Sequence, residues 1–160
     1  MFFVSDALLD QILTDDIPYG DATTALFGIE KIPGIVRCRP KAETTIAGVA
    51  LVERLFARVG LQTTLFHEEG DTVAAGTVIL EGRGPAGAIH AVYKTAQNIL
   101  EYASGIATRT RQMVEEARAG NPLCRVAVTR KHFPGTKTLS LYAAMSGGAV
   151  VHRMGLFRSF

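Results

Sequence analysis

Long apolar runs are absent from this chain of 160 residues. No stretch reaches the roughly 18 uncharged apolar residues that a membrane helix needs, and Met1-Phe2-Phe3-Val4-Ser5-Asp6 places no basic region ahead of an apolar run. The expectation is a cytoplasmic protein with no membrane partner. Cysteine is scarce too: Cys38 and Cys124 lie far apart, with no CxxC and no Cys/His cluster, so neither a disulfide framework nor a zinc site has support. Both read as reduced core thiols. Acid is missing where base is plentiful. Glu116 is the last carboxylate, and the 44 residues beyond it carry Arg118, Arg125, Arg130, Lys131, Lys137, Arg153 and Arg158 unopposed. That segment supplies no carboxylate to act as a base or to hold Mg2+.

What is present is enough for an ordinary core: 48% of residues are hydrophobic against 20% charged, which argues against disorder. The net charge of +2 hides a division. Residues 1–93 hold 7 Lys/Arg against 12 Asp/Glu, whereas residues 94–160 hold 10 against 3. A field of one sign concentrates the opposite charge, so small anionic substrates are the expected ligands of the second half. Its few aromatic residues and lack of any nucleic-acid motif weigh against nucleic acid.

Helical spacing of Leu8, Leu9, Ile12 and Leu13 behind Ser5 predicts a helix over 5–16, and residues 18–24 read as a turn or loop. Two short strands, GIVRCRP and ETTIAG, are expected before a helix at 49–59. Residues 61–82 read as two β-rich stretches punctuated by Gly70 and Gly76 in a compact hairpin. Their Glu-x-Gly-Asp-x-Val-x-x-Gly-x-x-Leu wording occurs in biotinyl and lipoyl carrier domains of the barrel-sandwich-hybrid type. A carrier needs a lysine at the hairpin tip, and none lies between Lys41 and Lys94, so only the fold hint stays. An apolar stripe from Ile89 to Ala117 predicts a long helix over 86–118, in which Gly105 permits close packing or a break. Strand 125–129, helix 136–146 and strand 149–151 then begin a parallel α/β array.

In parallel architecture, ligand sites form past the C-terminal strand ends. Thr129-Arg130-Lys131-His132 follows the first strand and His152-Arg153 the second, bringing two guanidiniums, an ammonium and imidazoles to one mouth. Arginine grips carboxylate or phosphate oxygens bidentately, and lysine adds a point charge. His67 and His90 have no such partners in the sequence and read as structural.

Three stretches carry a resemblance: Asn98 to Thr108 (NILEYASGIAT), Thr129 to Lys137 (TRKHFPGTK), and Gly147-Gly148-Ala149 with His152-Arg153-Met154-Gly155-Leu156. With Gly20-Asp21-Ala22-Thr23-Thr24 and the Gly70–Gly76 segment, they resemble the nicotinate-nucleotide pyrophosphorylase (quinolinate phosphoribosyltransferase) family. The wording TRKHFPGTK, with Lys at position 94, looks like the branch associated with molybdenum transport operons. The resemblance implies an α+β N-terminal sandwich domain over 1–106, with a barrel-sandwich-hybrid-like sheet and helices, then the start of an α/β barrel over 107–160 with most of the barrel absent. It implies a homodimer whose site is shared between subunits, and phosphoribosyl transfer from phosphoribosyl pyrophosphate to a pyridine carboxylate, with Mg2+ whose ligands lie outside this chain. On matching positions, Arg130, His152 and Arg153 would clamp acceptor carboxylates. Lys131 would serve catalysis and contact carboxylate or phosphate, and Lys94 would reach across the dimer. Lys94 stands where the quinolinate enzymes carry arginine, so the bidentate fork is missing and the acceptor's identity stays open.

About two barrel strands out of the usual eight are expected by Phe160, so the chain reads as a fragment or truncated product that is inactive alone. The competing expectation is a noncatalytic oxyanion-binding or dimerisation module in molybdate handling.

Overall fold

The computed structural model describes residues 4–16 and 22–152. The chain opens with α1 (Asp6–Asp16), where the Ser5 hydroxyl accepts the Leu8 N–H at 3.3 Å as an N-cap. Of the turn expected over 18–24, residues 18–21 lie outside the described residues, and α2 (Ala22–Phe27) occupies the rest. Next come β1 (Pro33–Cys38), β2 (Thr44–Thr45), α3 (Val49–Arg58), β3 (Gln62–Leu65), β4 (Thr72–Val73) and β5 (Leu80–Pro85). The remainder is α4 (Ala86–Gly120), β6 (Ala127–Val128), α5 (Lys137–Ser146) and β7 (Val150–Val151).

β5 is the central strand of an antiparallel sheet in the order β1-β5-β3. Along β1 and β5 alternate side chains face opposite ways: Val36 and Cys38 turn to the helices, while Arg37 and Glu81 pair on the open face. Glu81 is only 6% exposed, and its carboxylate takes Arg37 Nε at 2.5 Å and Arg83 Nε at 2.7 Å. Arg37 first, then Arg83, holds that carboxyl below the usual range against the desolvation that opposes it.

The expected compact hairpin over 61–82 takes a different form. β3 pairs with β5, while the intervening β4 leaves that sheet to pair with β2. Backbone bonds from Ile46 to Asp71 and from Gly70 to Ile46, both 2.8 Å, continue this second pairing. A hairpin is local, whereas Thr72 and Val73 find partners far away in sequence, which alternation alone does not reveal.

Helices α3 and α4 cover one face of the larger sheet, and α1 packs on those two helices. α3 buries Leu51, Val52, Leu55 and Phe56, at i, i+1, i+4 and i+5, and these join Leu9, Ile46, Leu80, Val92 and Ala96 in the core. α4 runs unbroken through Gly105. Its second half buries Ala103 and Ala107 against Ala47 and Ala143 of α5, small side chains that let the backbones approach closely. β6 and β7 pair in parallel, Ala127 with Val150 and Val128 with Val151, so β6, α5 and β7 form one βαβ unit as expected.

Candidate functional site

Parallel register places the residues after β6 and β7 side by side. Val128 pairs with Val151, so Thr129 and His152 leave adjacent strands at the same level, with strand spacing of about 4.8 Å. Thr129 Oγ1 accepts the Lys131 N–H at 3.3 Å, turning the chain where Arg130 and Lys131 begin. Both are exposed, as is His152, while His132 is half-buried. None of Arg130, Lys131 or His152 forms an ion pair with a carboxylate among the described residues. Arg153 lies outside the described residues.

The same edge carries the N-terminus of α5, because the 129–136 loop leads straight from β6 into that helix. Its first turn holds no acidic residue, so the positive end of the helix dipole adds to the cations. Thr136 ties the loop down: its hydroxyl donates to Phe133 O at 2.9 Å and lies 3.2 Å from the Ser140 hydroxyl. The arrangement provides cationic donors without a carboxylate to compete for them, which is the chemistry of holding an anion and stabilising a departing one.

Lys94 is placed elsewhere. It projects from the first third of α4, exposed, with Nζ 3.1 Å from Gln97 Oε1 and 5.6 Å from the Tyr93 ring centre. No hydrogen bond or ion pair joins it to Arg130, Lys131 or His152 among the described residues. The strand-end set is therefore brought together within the chain, and Lys94 is not part of it.

Two features went unread in the sequence. Tyr102 on α4 meets the loop, and hydrogen bonds with Thr136 first and Ser140 second hold its phenol below the usual range. Beside it lies a groove of about 750 Å3 walled by Asp15, Asp16, Glu101 and Tyr102, where Thr95 donates to Asp16. The NILEY wording marked this helix segment, but only folding brings the α1 aspartates to it.

Fold and site together define an α/β chain with a cation-rich strand edge of the kind that holds phosphate or carboxylate. Family models described as "Quinolinate phosphoribosyl transferase, N-terminal domain" and "Quinolinate phosphoribosyl transferase, C-terminal domain" match residues 21–104 and 106–160. The chain belongs to the quinolinate phosphoribosyl transferase family. It is 36% identical over 156 residues to the "Putative pyrophosphorylase ModD" of Pasteurella multocida, covering 98% of this chain and 55% of that protein. It is also 36% identical over 140 residues to the "Probable nicotinate-nucleotide pyrophosphorylase [carboxylating]" of Archaeoglobus fulgidus, covering 88% of this chain and 53% of that protein. Among solved structures, NadC from Streptococcus pyogenes superimposes with a TM-score of 0.88 at 26% identity, covering 95% of this chain and 54% of that one. The chain thus spans about half the length of the relatives it matches.

Proposed function

We propose that this chain supplies the N-terminal domain and the first barrel strands of a phosphoribosyltransferase of the ModD branch, which transfers phosphoribosyl from phosphoribosyl pyrophosphate to an anionic pyridine carboxylate. The observation that carries the reading is the convergence of Arg130, Lys131 and His152 on one edge with no described carboxylate paired to them. The 36% identity to a ModD protein over nearly the whole chain supports the branch.

Ribosyl transfer passes through an electron-poor sugar carbon, so positioning and stabilisation of the leaving pyrophosphate carry much of the catalysis. Arg130 and His152 orient the acceptor through its carboxylates. Lys131 places a point charge beside carboxylate or phosphate oxygens as charge moves onto the leaving group. Lys94, free of the strand-end set and exposed, serves a neighbouring subunit in a homodimer. The described residues do not fit a magnesium site: the edge offers cations and imidazoles, and no group of three His, Cys, Asp or Glu residues is placed to hold a metal among them.

The test is acceptor-dependent consumption of phosphoribosyl pyrophosphate by a form spanning the relatives' full length, offered a panel of pyridine carboxylates. Pyrophosphate is expected only with an acceptor present. Arg130→Ala should weaken acceptor binding about 10- to 100-fold, the worth of a charge-assisted hydrogen bond. The 160-residue chain alone is expected to give no turnover. Tight molybdate binding without consumption would instead establish the noncatalytic oxyanion module.

A further inference from the structure

A second cationic cavity lies away from the strand edge, between β1, the 39–44 segment and α4. It encloses about 680 Å3, within the range of small-molecule sites. Arg37, Arg39, Lys41 and Arg109 line it, against a single lining carboxylate, Glu101. Its deep side is the core surface itself: Ile46, Ile79 and Leu100 are 0%, 5% and 7% exposed. Tyr93 stands in the wall with 44% of its surface open.

The cations differ in what occupies them. Arg37 is committed to Glu81. Arg39 and Lys41 form no ion pair with a described carboxylate, and among the described residues Arg109 bonds through its side chain to Gln112 Oε1 at 3.3 Å. Glu101 is engaged by the Gln97 amide at 2.7 Å. The lining hydroxyls are also spent inward, Thr44 on Ala42 O, Ser104 on Ala47 and Thr108 on the Thr45 N–H. Arg39, Lys41 and Arg109 outnumber Glu101, whose charge the neutral Gln97 amide leaves in place, so the cavity keeps a net positive field directed outward.

The geometry points to a nucleotide-class ligand in this cavity: an aromatic ring set against Tyr93 and the apolar floor, with a diphosphate across Arg39, Lys41 and Arg109. Three cations against the one Glu101 carboxylate leave a net positive lining for a diphosphate, and arginine and lysine from different elements suit oxygens spread over two phosphates better than one carboxylate. The ring gains from stacking and from burying apolar area, which inorganic pyrophosphate lacks. No residue of the strand edge takes part, and Lys94 stands beside the cavity wall with Nζ 5.6 Å from the Tyr93 ring centre.

The experiment is calorimetric titration of the 160-residue chain with ADP, with inorganic pyrophosphate and with adenosine in parallel. Saturable ADP binding that weakens with added salt is expected, with both fragments weaker. Arg109→Glu and Lys41→Ala should each weaken ADP binding at least tenfold, while melting curves followed by circular dichroism confirm that these exposed substitutions leave the fold intact. Arg130→Ala should bind ADP as the parent does. Absence of saturable binding, or equal affinity in the folded Arg109→Glu variant, overturns the proposal. So does loss of binding in Arg130→Ala alone, which would assign the ligand to the strand edge. Sedimentation showing that a second copy fills the groove, with ADP excluded from the dimer, overturns it as well.

Discussion

Glu69 caps a helix from far away: both carboxylate oxygens accept the Gly48 N–H, at 2.8 and 3.1 Å, and one also accepts the Ala50 N–H at 3.0 Å. Gly48 has φ of +96° and no side chain, so the residue at the head of α3 supplies no cap of its own. The loop after β3 provides it, placing negative charge at the positive end of the helix. Glu69 also lies near α5, with Oε2 3.5 Å from the Ser146 hydroxyl, so one carboxylate joins α3 to the βαβ unit.

Replacing that carboxylate leaves two helix N–H groups without their partner. Glu69→Ala should lower stability by about 1–3 kcal/mol, and Glu69→Gln by less because an amide oxygen still accepts. Urea unfolding checks both; equal stability of all three proteins would dismiss the cap.

Two glycines on the same pair of helices should respond in opposite directions. A methyl at Gly147 would sit 2.5 Å from the Ala107 carbonyl oxygen and 2.7 Å from the Thr110 Cβ, whereas one at Gly105 meets nothing within 4 Å. Gly147→Ala should destabilise by about 1–3 kcal/mol through overpacking against backbone. Gly105→Ala should stabilise α4 by about 0.5–1 kcal/mol by restoring helix propensity. Thermal melts of the two variants decide it by the sign of the shift.

Phenylalanines separate core from surface. Phe56 is fully buried and Phe133 is 74% exposed in the loop after β6. Phe56→Ala should cost about 3–5 kcal/mol, while Phe133→Ala should stay within about 0.5 kcal/mol. Similar losses for both would place the core elsewhere.

Burial pushes the Cys38 thiol up from 9.0 to about 11. The unfolded chain therefore loses this proton first as pH rises, and the contribution to stability, complete below pH 9, falls away between about 9 and 11. Cys38→Ala should flatten that part of the stability profile. Alkylation of Cys38 in the folded protein should remain slow at neutral pH and accelerate only toward its raised pKa. Fast modification at pH 7 would show the thiol to be open.

Several elements were legible without any structure. Leu51, Val52, Leu55 and Phe56 mark the buried side of α3, and Ser5 marks the start of α1, because helix faces and caps depend on neighbours within a turn or two. The strand–helix–strand run after residue 125 was equally plain, and with it the gathering of Arg130, Lys131 and His152, since parallel strands flanking one helix leave their C-terminal ends together. The cavity by Arg39 and Arg109 was not legible. Its walls come from β1 and from the middle of α4, and neither segment carries a pattern that names the other.

The sequence by itself determined the helices other than α2, the division of charge and the cationic strand ends, each of which follows from residues close together in the chain. Only the tertiary structure decided that β5 lies between β1 and β3, that β4 leaves to join β2, that Glu69 caps α3, and that Lys94 stands apart from Arg130. Those relationships join segments tens of residues apart. Such pairs form only when burial and hydrogen bonding repay the entropy of closing the loops between them, and that balance belongs to the whole fold.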